Sequence, residues 1–185
     1  DAHAFISVGV DTYVPSDREK IKNFVEDSGR VVMAVNPDQE FTFSNGQSNT
    51  YGTLGVYTEP GYVYNLEEND LNYQRIFVEP GGGSTLTDGV ERAVFDSATP
   101  VGAASVDEAM RPIDGSKLSV TRATTEKSVL VRNGDAVLIG DTRFMTPENT
   151  QRADNDVLVG NIADFLVNSN RRLEGDSGDG GEEEE

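Results

Sequence analysis

The sequence predicts an α/β fold in which helices flank a mostly parallel β-sheet, with antiparallel additions from the middle of the chain. Two patterns carry this prediction. A strand, a helix and a second strand follow one another within the first 35 residues, and two apolar strands followed by an amphipathic helix lie near the other end. A strand–helix–strand unit crosses over with a right hand and places its strands in one sheet. We therefore expect residues 4–10, 30–35 and 136–140 to form the parallel core.

The strand–helix–strand unit has recognisable boundaries. Its first strand, AFISVGV, is rich in residues that favour β-structure. The helix predicted over residues 16–29 begins with a capping box formed by Ser16 and Glu19, and Gly29 at its end favours a left-handed stop. The second strand, RVVMAV, is almost continuously apolar, which is typical of a strand buried on both faces.

The middle of the chain is less regular. A tyrosine- and glycine-rich segment over residues 51–65 indicates a short helix followed by extended chain, and residues 81–89, GGGSTLTDG, indicate a flexible connection. Apolar and alternating runs predict strands in three further places, over residues 72–80, 91–103 and 118–124.

The last third of the chain predicts a hairpin and a helix. Residues 128–140 contain two apolar strands joined at Asn133-Gly134, a dipeptide that favours tight hairpin turns. The helix predicted from Asp154 to Ser169 has apolar side chains at helical spacing, namely Val157, Leu158, Ile162, Phe165 and Leu166. That stripe is expected to pack against the sheet.

The charge of the chain argues against a nucleic-acid partner and indicates a high-salt environment. The chain has 33 acidic and 15 basic residues, a formal net charge of −18. Nucleic acid is not expected as a partner, because phosphate binding needs clustered positive charge. Acidic residues are spread along every segment and lysine is scarce, a pattern typical of proteins from extreme halophiles, in which salt screens self-repulsion. We expect one domain over residues 1–172 and a disordered acidic tail over residues 173–185.

The residue inventory argues against an enzyme. Cysteine is absent, which removes disulfides, thiolate metal sites and a cysteine nucleophile, and His3 is the only histidine. No apolar run approaches the roughly 20 residues that a membrane-spanning helix needs. We expect the chain itself to be soluble, with any membrane-linked partner reached through a region outside it.

A binding site is expected beyond the carboxyl ends of the parallel strands, where ligands of α/β sheets collect. The segment that follows Gly140 lies on this side of the sheet, and so does the segment that follows the second core strand. The candidate ligand-binding residues are Asn36, Asp38, Asp141, Thr142, Arg143 and Asn149.

The same segment contains candidate metal ligands. Asp141, Asp154 and Asp156 are oxygen ligands of the kind that Ca²⁺ or Mg²⁺ prefers, with Asn149 and Asn155 beside them. The alternative is a scaffold role. Asp154 or Asn155 would then cap the last helix, Asp141 would accept backbone N–H bonds, and Arg143 would pair with one of the acids. We favour the scaffold, because helix and loop need these bonds with or without a ligand.

Tyrosines offer a second candidate surface. Tyrosine has a large ring and a polar tip, and is equally suited to contact with a sugar or a protein and to the rim of a core. Both possibilities stay open for the tyrosines of the middle segment, namely Tyr51, Tyr57, Tyr62, Tyr64 and Tyr73.

Four segments in order resemble a known family. They are FISVG, PSDREKIKNFVEDSGRVVMAV, LTDGVERAVFDSA and AVLIGDTRFMTPENTQRADNDVLVGNIADFLV. Together they resemble the DUF4350 and ABC-transporter-auxiliary (gliding-motility GldG-like) domains, in a haloarchaeal version. The resemblance implies a class I glutamine-amidotransferase-like, flavodoxin-like fold and a membrane-linked location at the cell surface. Members have a strand–helix unit before FISVG, so it also implies that an edge strand is missing here or is supplied by something else.

Function is predicted from these observations together. Amidotransferase relatives use a cysteine paired with a histidine, and this sequence has neither in the chain interior. We expect a non-catalytic binding or assembly module of a surface or transport-associated system, without a cofactor other than a possible Ca²⁺ or Mg²⁺. Two alternatives stay open: a metal-dependent hydrolase using Asp141, Asp154 and Asp156, and a structural subunit or homo-oligomer that pairs through an open sheet edge.

Overall fold

The structure is a computed structural model that describes residues 2–9, 15–37, 51–83 and 85–168. Its strands are β1 (Ala4–Val8), β2 (Arg30–Ala34), β3 (Val56–Thr58), β4 (Val63–Tyr64), β5 (Arg75–Pro80), β6 (Ala93–Asp96), β7 (Val101–Ala103), β8 (Glu108–Pro112), β9 (Lys117–Leu118), β10 (Leu130–Asn133) and β11 (Ala136–Ile139). Its helices are α1 (Pro15–Glu26), a 3₁₀ helix (Arg143–Met145) and α2 (Asn155–Val167).

A mixed seven-stranded sheet forms the centre of the fold, in the order β1-β2-β11-β10-β8-β5-β6. β1 pairs with β2 and β2 pairs with β11 in parallel, as the sequence predicted. The hairpin between β10 and β11 also forms as predicted, and it turns at Gly134, whose φ is +58°. The remaining strands pair β3 with β7 and β4 with β9 in two small antiparallel ribbons.

The predicted flavodoxin-like architecture is wrong. From β11 onward every pairing in the large sheet is antiparallel, so two pairings are parallel and four are antiparallel. Few helices flank this sheet, and none in the described part of the chain is long and apolar enough to cross a lipid bilayer. The predicted helix-covered parallel sheet is therefore replaced by a strand-dominated mixed sheet.

The strand that decides this outcome is β8, which the sequence did not predict. β8 lies between β10 and β5 and pairs antiparallel with both. Its sequence, EAMRP, places a carboxylate at a buried position, because Glu108 is only 2% exposed. Arg132 lies 2.5 Å from that carboxylate, and the N–H of Leu86 donates to it at 2.7 Å. Charge in a central strand hides the apolar pattern by which strands are recognised.

Two other predictions for the middle of the chain are corrected. Residues 81–89 are not simply a flexible connection, because Leu86 and Thr87 are buried and Leu86 is bonded to Glu108. The strand predicted over residues 118–124 is only the end of β9, since the chain turns over residues 119–121. The alternation of that segment does not mark a buried strand face, because residues 120–124 are all exposed.

Helix α1 ends in a Schellman motif. The N–H of Ser28 donates to the carbonyl of Val25 at 3.0 Å, and the N–H of Gly29 donates to the carbonyl of Phe24 at 2.8 Å. Ser28 takes the left-handed conformation, with φ of 63°, so the predicted role of Gly29 is corrected. Gly29 serves a different purpose: a Cβ there would lie 2.4 Å from the ring of Phe24.

Apolar clusters cover both faces of the large sheet. Alternate residues of β2 point to opposite faces, so Val31 and Met33 join the cluster beside α1, while Val32 and Ala34 join the cluster beside α2. This explains why β2 is apolar at every position. On the α2 side, Phe165 and other helix residues pack against the sheet, as the helical stripe predicted.

The end of β11 is held against the segment that follows β6. The N–H of Thr99 donates to the carbonyl of Gly140 at 2.7 Å. A Cβ on Gly140 would lie 1.9 Å from the carbonyl oxygen of Thr99. Two main chains therefore pass each other at a distance that admits no side chain, and this contact positions the loop after β11.

Replacement of Gly140 by alanine should lower the free energy of unfolding by about 3 kcal/mol or more, because backbone must move to admit the methyl group. Urea unfolding followed by circular dichroism measures the change. The matched control is Gly160→Ala, at an exposed position of α2 where a Cβ would meet no atom within 4 Å. It should raise stability by about 0.5–1 kcal/mol. Equal effects of the two changes would contradict the close approach.

Candidate functional site

The carboxyl ends of β2 and β11 bring two of the predicted site residues together. Because these strands are parallel neighbours, the residues that follow them meet at one edge. The side-chain amide of Asn36 donates to Thr142 Oγ1 at 2.6 Å, and the N–H of Thr142 donates to Asn36 Oδ1 at 2.9 Å. Asn36 therefore holds the loop after β11 in the way that a paired peptide group would.

Asp141 lies beneath this pair and is fully buried. Its Oδ2 accepts the N–H of Asp96 at 2.8 Å, and its Oδ1 accepts the N–H of Arg143 at 2.7 Å. Burial raises the pKa of Asp141 to about 6, although the two N–H bonds oppose that rise. The prediction that Asp141 accepts backbone N–H bonds that shape the loop is confirmed.

Arg143 and Asn149 also hold the loop. The guanidinium of Arg143 lies 3.3 Å from Asp96 Oδ1, an acid that the sequence did not single out. The amide of Asn149 donates to the carbonyl of Arg143 at 2.9 Å and to Thr146 Oγ1 at 3.1 Å, while its oxygen accepts a bond from Arg75. Asp38, the remaining candidate at this end of the sheet, lies outside the described residues.

The start of α2 is bonded to the edge of β6. Asn155 is fully buried, and its side-chain amide pairs with the main chain of Val94. Asn155 Oδ1 accepts the N–H of Val94 at 2.8 Å, and its Nδ2 donates to the carbonyl of Val94 at 3.0 Å. A side-chain amide has the same donor and acceptor as a peptide group, so Asn155 takes the place of a residue in a neighbouring strand.

Two carboxylates complete this edge. Asp154 Oδ2 accepts the N–H groups of Glu91 and Arg92 at 2.8 and 2.9 Å, and Asp141 accepts that of Asp96. Together with the amide of Asn155, they satisfy the outward N–H groups along β6. We call this side of the sheet the closed edge. The predicted helix cap is therefore corrected: Asp154 makes no side-chain cap bond, because its carboxylate bonds the chain that enters β6.

The three predicted metal ligands are not brought together. Asp141 and Asp154 bond main-chain groups of residues 96 and 92, which lie roughly 13 Å apart at the rise of an extended strand. Asp156 bonds the N–H of Val157 beside it. Within the described ranges, no group of three or more His, Cys, Asp or Glu side chains is suited to a metal ion.

The opposite side of the sheet is open, and sequence reasoning did not name its residues. His3 accepts a bond from Arg30, and Gly9 donates to Ala34, so the odd-numbered residues of β1 face β2. The N–H and C=O groups of the even-numbered residues therefore face away from the sheet. No strand of the described ranges pairs with β1 on that side, which we call the open edge. Its outward-facing residues are Ala4, Ile6 and Val8.

Apolar surface lies on both sides of the open edge. Ile6 is 48% and Val8 is 54% exposed on one face of β1. Phe5 points to the other face, where an apolar cleft of about 230 Å³ lies between β1 and α1. The cleft is lined by Ala2, Ala4, Phe5, Lys20, Ile21 and Phe24. The sequence signal for this site was the family resemblance, which implied that an edge strand before FISVG is missing or is supplied by something else.

The five tyrosines of the middle segment divide into three environments. Tyr51 is 5% exposed and belongs to the core beside α1, whereas Tyr57 is 49% exposed on β3. The other three converge on one cleft, with Tyr64 between Tyr62 and Tyr73. Tyr51 therefore belongs to the core, and contact of the other four tyrosines with a sugar or a protein stays a prediction.

Replacement of Asn155 by alanine should cost about 2–4 kcal/mol of stability, since it leaves a buried N–H and a buried C=O of Val94 without partners. Thermal and urea unfolding measure the loss. Asn168→Ala is the matched control, because that side chain bonds one carbonyl at an exposed position. It should change stability by no more than about 0.5 kcal/mol. Similar losses in both variants would show that water replaces the amide of Asn155.

Asp141 makes stability depend on pH. The pKa of Asp141 is about 6 in the folded protein, above its ordinary value of 3.8. Between these two pH values the folded state binds more protons than the unfolded state, so the free energy of unfolding falls as pH rises. The free energy of unfolding of the wild type, measured relative to Asp141→Asn, should fall by about 1 kcal/mol between pH 5 and 7. Urea unfolding at constant ionic strength tests this. Asp156→Asn should retain the pH dependence of the wild type, and its loss there would assign the effect elsewhere.

Comparison with known proteins identifies a structure with a similar fold but no matching family. No family model and no curated protein matches the chain. A solved structure described as the "mmIFT52 N-terminal domain" superposes with a TM-score of 0.71 at 10% sequence identity, covering 92% of this chain and 80% of that one. At that identity the likeness shows the fold alone. The predicted membership of the DUF4350 or GldG-like, amidotransferase-like group is corrected, because no family model supports it and the architecture shared is that of the IFT52 N-terminal domain.

Proposed function

We propose that this protein is a non-catalytic assembly module of a salt-adapted organism, and that it takes up an extended segment of a partner protein along the open edge of β1. One observation carries the proposal. The structure closes one edge of its sheet with Asp141, Asp154 and Asn155, whereas no strand of the described ranges pairs with the other edge, which lies between two apolar surfaces. Association with a surface or transport system, and a membrane-linked location, stay predictions of the sequence.

The geometry of β1 suits an added strand. An extended segment bonded to the outward groups of Ala4, Ile6 and Val8 would gain main-chain hydrogen bonds that depend little on its sequence. Its side chains would alternate between the two faces. One set would enter the cleft beside Phe5, and the other would cover Ile6 and Val8. Main-chain pairing then supplies affinity, while the cleft supplies specificity.

Charge favours a different protein over a second copy. Each copy has a formal net charge of −18, so like-charge repulsion opposes the pairing of two β1 strands, while a neutral or basic segment escapes that repulsion. High salt screens surface charges and strengthens the burial of apolar groups. An interface built from main-chain bonds and apolar contacts is therefore suited to the environment that the acidic surface indicates.

The test uses ten-residue peptides selected from a random library for binding to the wild-type protein. We expect the binders to slow hydrogen exchange at the amides of Ala4, Ile6 and Val8, measured by NMR. Ile6→Pro should weaken them at least about tenfold, because proline removes an outward N–H that an added strand requires. The fold should tolerate this change, since that N–H makes no bond to β2 and proline occurs in edge strands.

The control is Val106→Ser, which removes an apolar side chain that is 50% exposed elsewhere on the surface. It should leave peptide affinity unchanged. Binders that protect β6 or no strand at all would contradict the proposal. Concentration-dependent protection of β1 without peptide would contradict a different partner and identify a second copy instead.

A further inference from the structure

A cleft lined by tyrosines, which we call the tyrosine cleft, is a second candidate site. Its lining differs in chemistry from the open edge. It is an open cleft of about 220 Å³ lined by Tyr62, Tyr64, Leu66, Tyr73, Ser119 and Arg122. These residues come from β4, from the segment before β5 and from the turn after β9. Leu66 is 63% and Tyr73 is 46% exposed, so the side chains that line the cleft are open to solvent.

The rings are arranged as a platform. Val63 of β4 is buried in the core, which places its neighbours Tyr62 and Tyr64 together on the outer face. Their ring centroids are 6.3 Å apart with planes at 58°, and Tyr73 meets Tyr64 edge-on at 6.2 Å. The three phenol hydroxyls have no hydrogen-bond partner among the described residues. They are available to a ligand.

The turn that provides Ser119 is fixed to β4 by main-chain geometry. The N–H of Ser119 donates to the carbonyl of Tyr62 at 2.9 Å, and Ser119 Oγ accepts the N–H of Tyr62 at 2.9 Å. Gly61 is required beside it, because its φ is +89° and a Cβ there would lie 2.7 Å from Ser119 Oγ. The floor of the cleft is therefore rigid without any ligand.

Arg122 occupies a strained position at the rim. Its φ is 58°, in the left-handed region where a residue with a Cβ costs roughly 1–2 kcal/mol relative to the right-handed form. Its N–H closes the turn by donating to the carbonyl of Leu118 at 2.7 Å. Glycine would satisfy that turn without strain. Because arginine at this position costs conformational free energy that glycine would not, we infer that the side chain of Arg122 has a function.

The charge of Arg122 is uncommitted, in contrast to most arginines of this protein. Within the described ranges its guanidinium has no ion-pair or hydrogen-bond partner, although acids outnumber bases 33 to 15. Six other arginines pair with carboxylates, namely Arg30, Arg75, Arg92, Arg132, Arg143 and Arg152. The cleft therefore combines an aromatic platform, free hydroxyls and one available guanidinium.

We propose that the tyrosine cleft binds an acidic sugar residue, a pyranose ring bearing a carboxylate. The apolar C–H face of such a ring packs on aromatic rings, and its hydroxyls exchange hydrogen bonds with the tyrosine hydroxyls and Ser119. The guanidinium of Arg122 can grip the carboxylate with two parallel bonds. A shallow, open cleft of this kind suits one unit of a longer glycan, whose neighbouring units would extend into solvent.

The test titrates the wild-type protein with sodium D-glucuronate, D-glucose and sodium acetate at one salt concentration. The chain has six tyrosines and no tryptophan, so tyrosine fluorescence reports on binding without a tryptophan background. The NMR ring signals of Tyr62, Tyr64 and Tyr73 then assign the binding to the cleft. We expect saturable shifts with glucuronate, at least about tenfold weaker binding of glucose, and none resolved with acetate. Binding of acetate as tight as glucuronate, or no shift with glucuronate, would overturn the proposal.

Two variants separate recognition from structure. Arg122→Gly should raise the melting temperature by about 2–4 °C by relieving the left-handed strain, yet weaken glucuronate binding to the level of glucose. Arg111→Gln, which removes another exposed arginine from a different cleft, should leave glucuronate binding unchanged. Unchanged glucuronate affinity in the glycine variant would overturn the role of Arg122 in binding, and a lower melting temperature would overturn the strain from which that role is inferred.

Discussion

Asn155 is fully buried and bonds both the N–H and the C=O of Val94, and the closed edge of the sheet depends on this pairing. The exposed edge of a strand is a template for uncontrolled association, which natural sheets block with side chains or covering segments. Here the block is the loop and helix that follow β11. The same bonds fix the start of α2, so the apolar stripe of that helix meets the sheet at a defined position.

One buried ion pair joins two neighbouring antiparallel strands in the middle of the sheet. Glu108 places a carboxylate in the central strand β8, and Arg132 of the neighbouring strand β10 neutralises it. The N–H of Leu86 completes the environment of that carboxylate. A buried charge is tolerated only with such partners. This pair therefore joins β10 to β8 within the part of the sheet in which every pairing is antiparallel.

The two edges of the large sheet differ in their hydrogen bonding, and the proposed function rests on this difference. The residues after β11 were predicted to bind a ligand, and the described ones make hydrogen bonds that hold the fold. Ligand binding by them stays a prediction. Among the residues that the structure describes, the open edge of β1 and the tyrosine cleft both present polar groups without a protein partner. A strand edge and a cluster of aromatic rings are therefore the two proposed recognition sites.

Local patterns in the sequence determined the elements with strong periodicity. The apolar run of β2, the Asn133-Gly134 hairpin and the stripe of α2 all formed where the sequence predicted, because each depends on nearby residues. Only the tertiary structure decided how β8 joins the sheet, which atoms Asp154 and Asn155 bond, and that Tyr62 and Tyr73 share a cleft. Those outcomes depend on contacts between residues far apart in the chain. A buried polar group takes whichever partner the fold brings to it, and that partner leaves no periodic signal in the sequence.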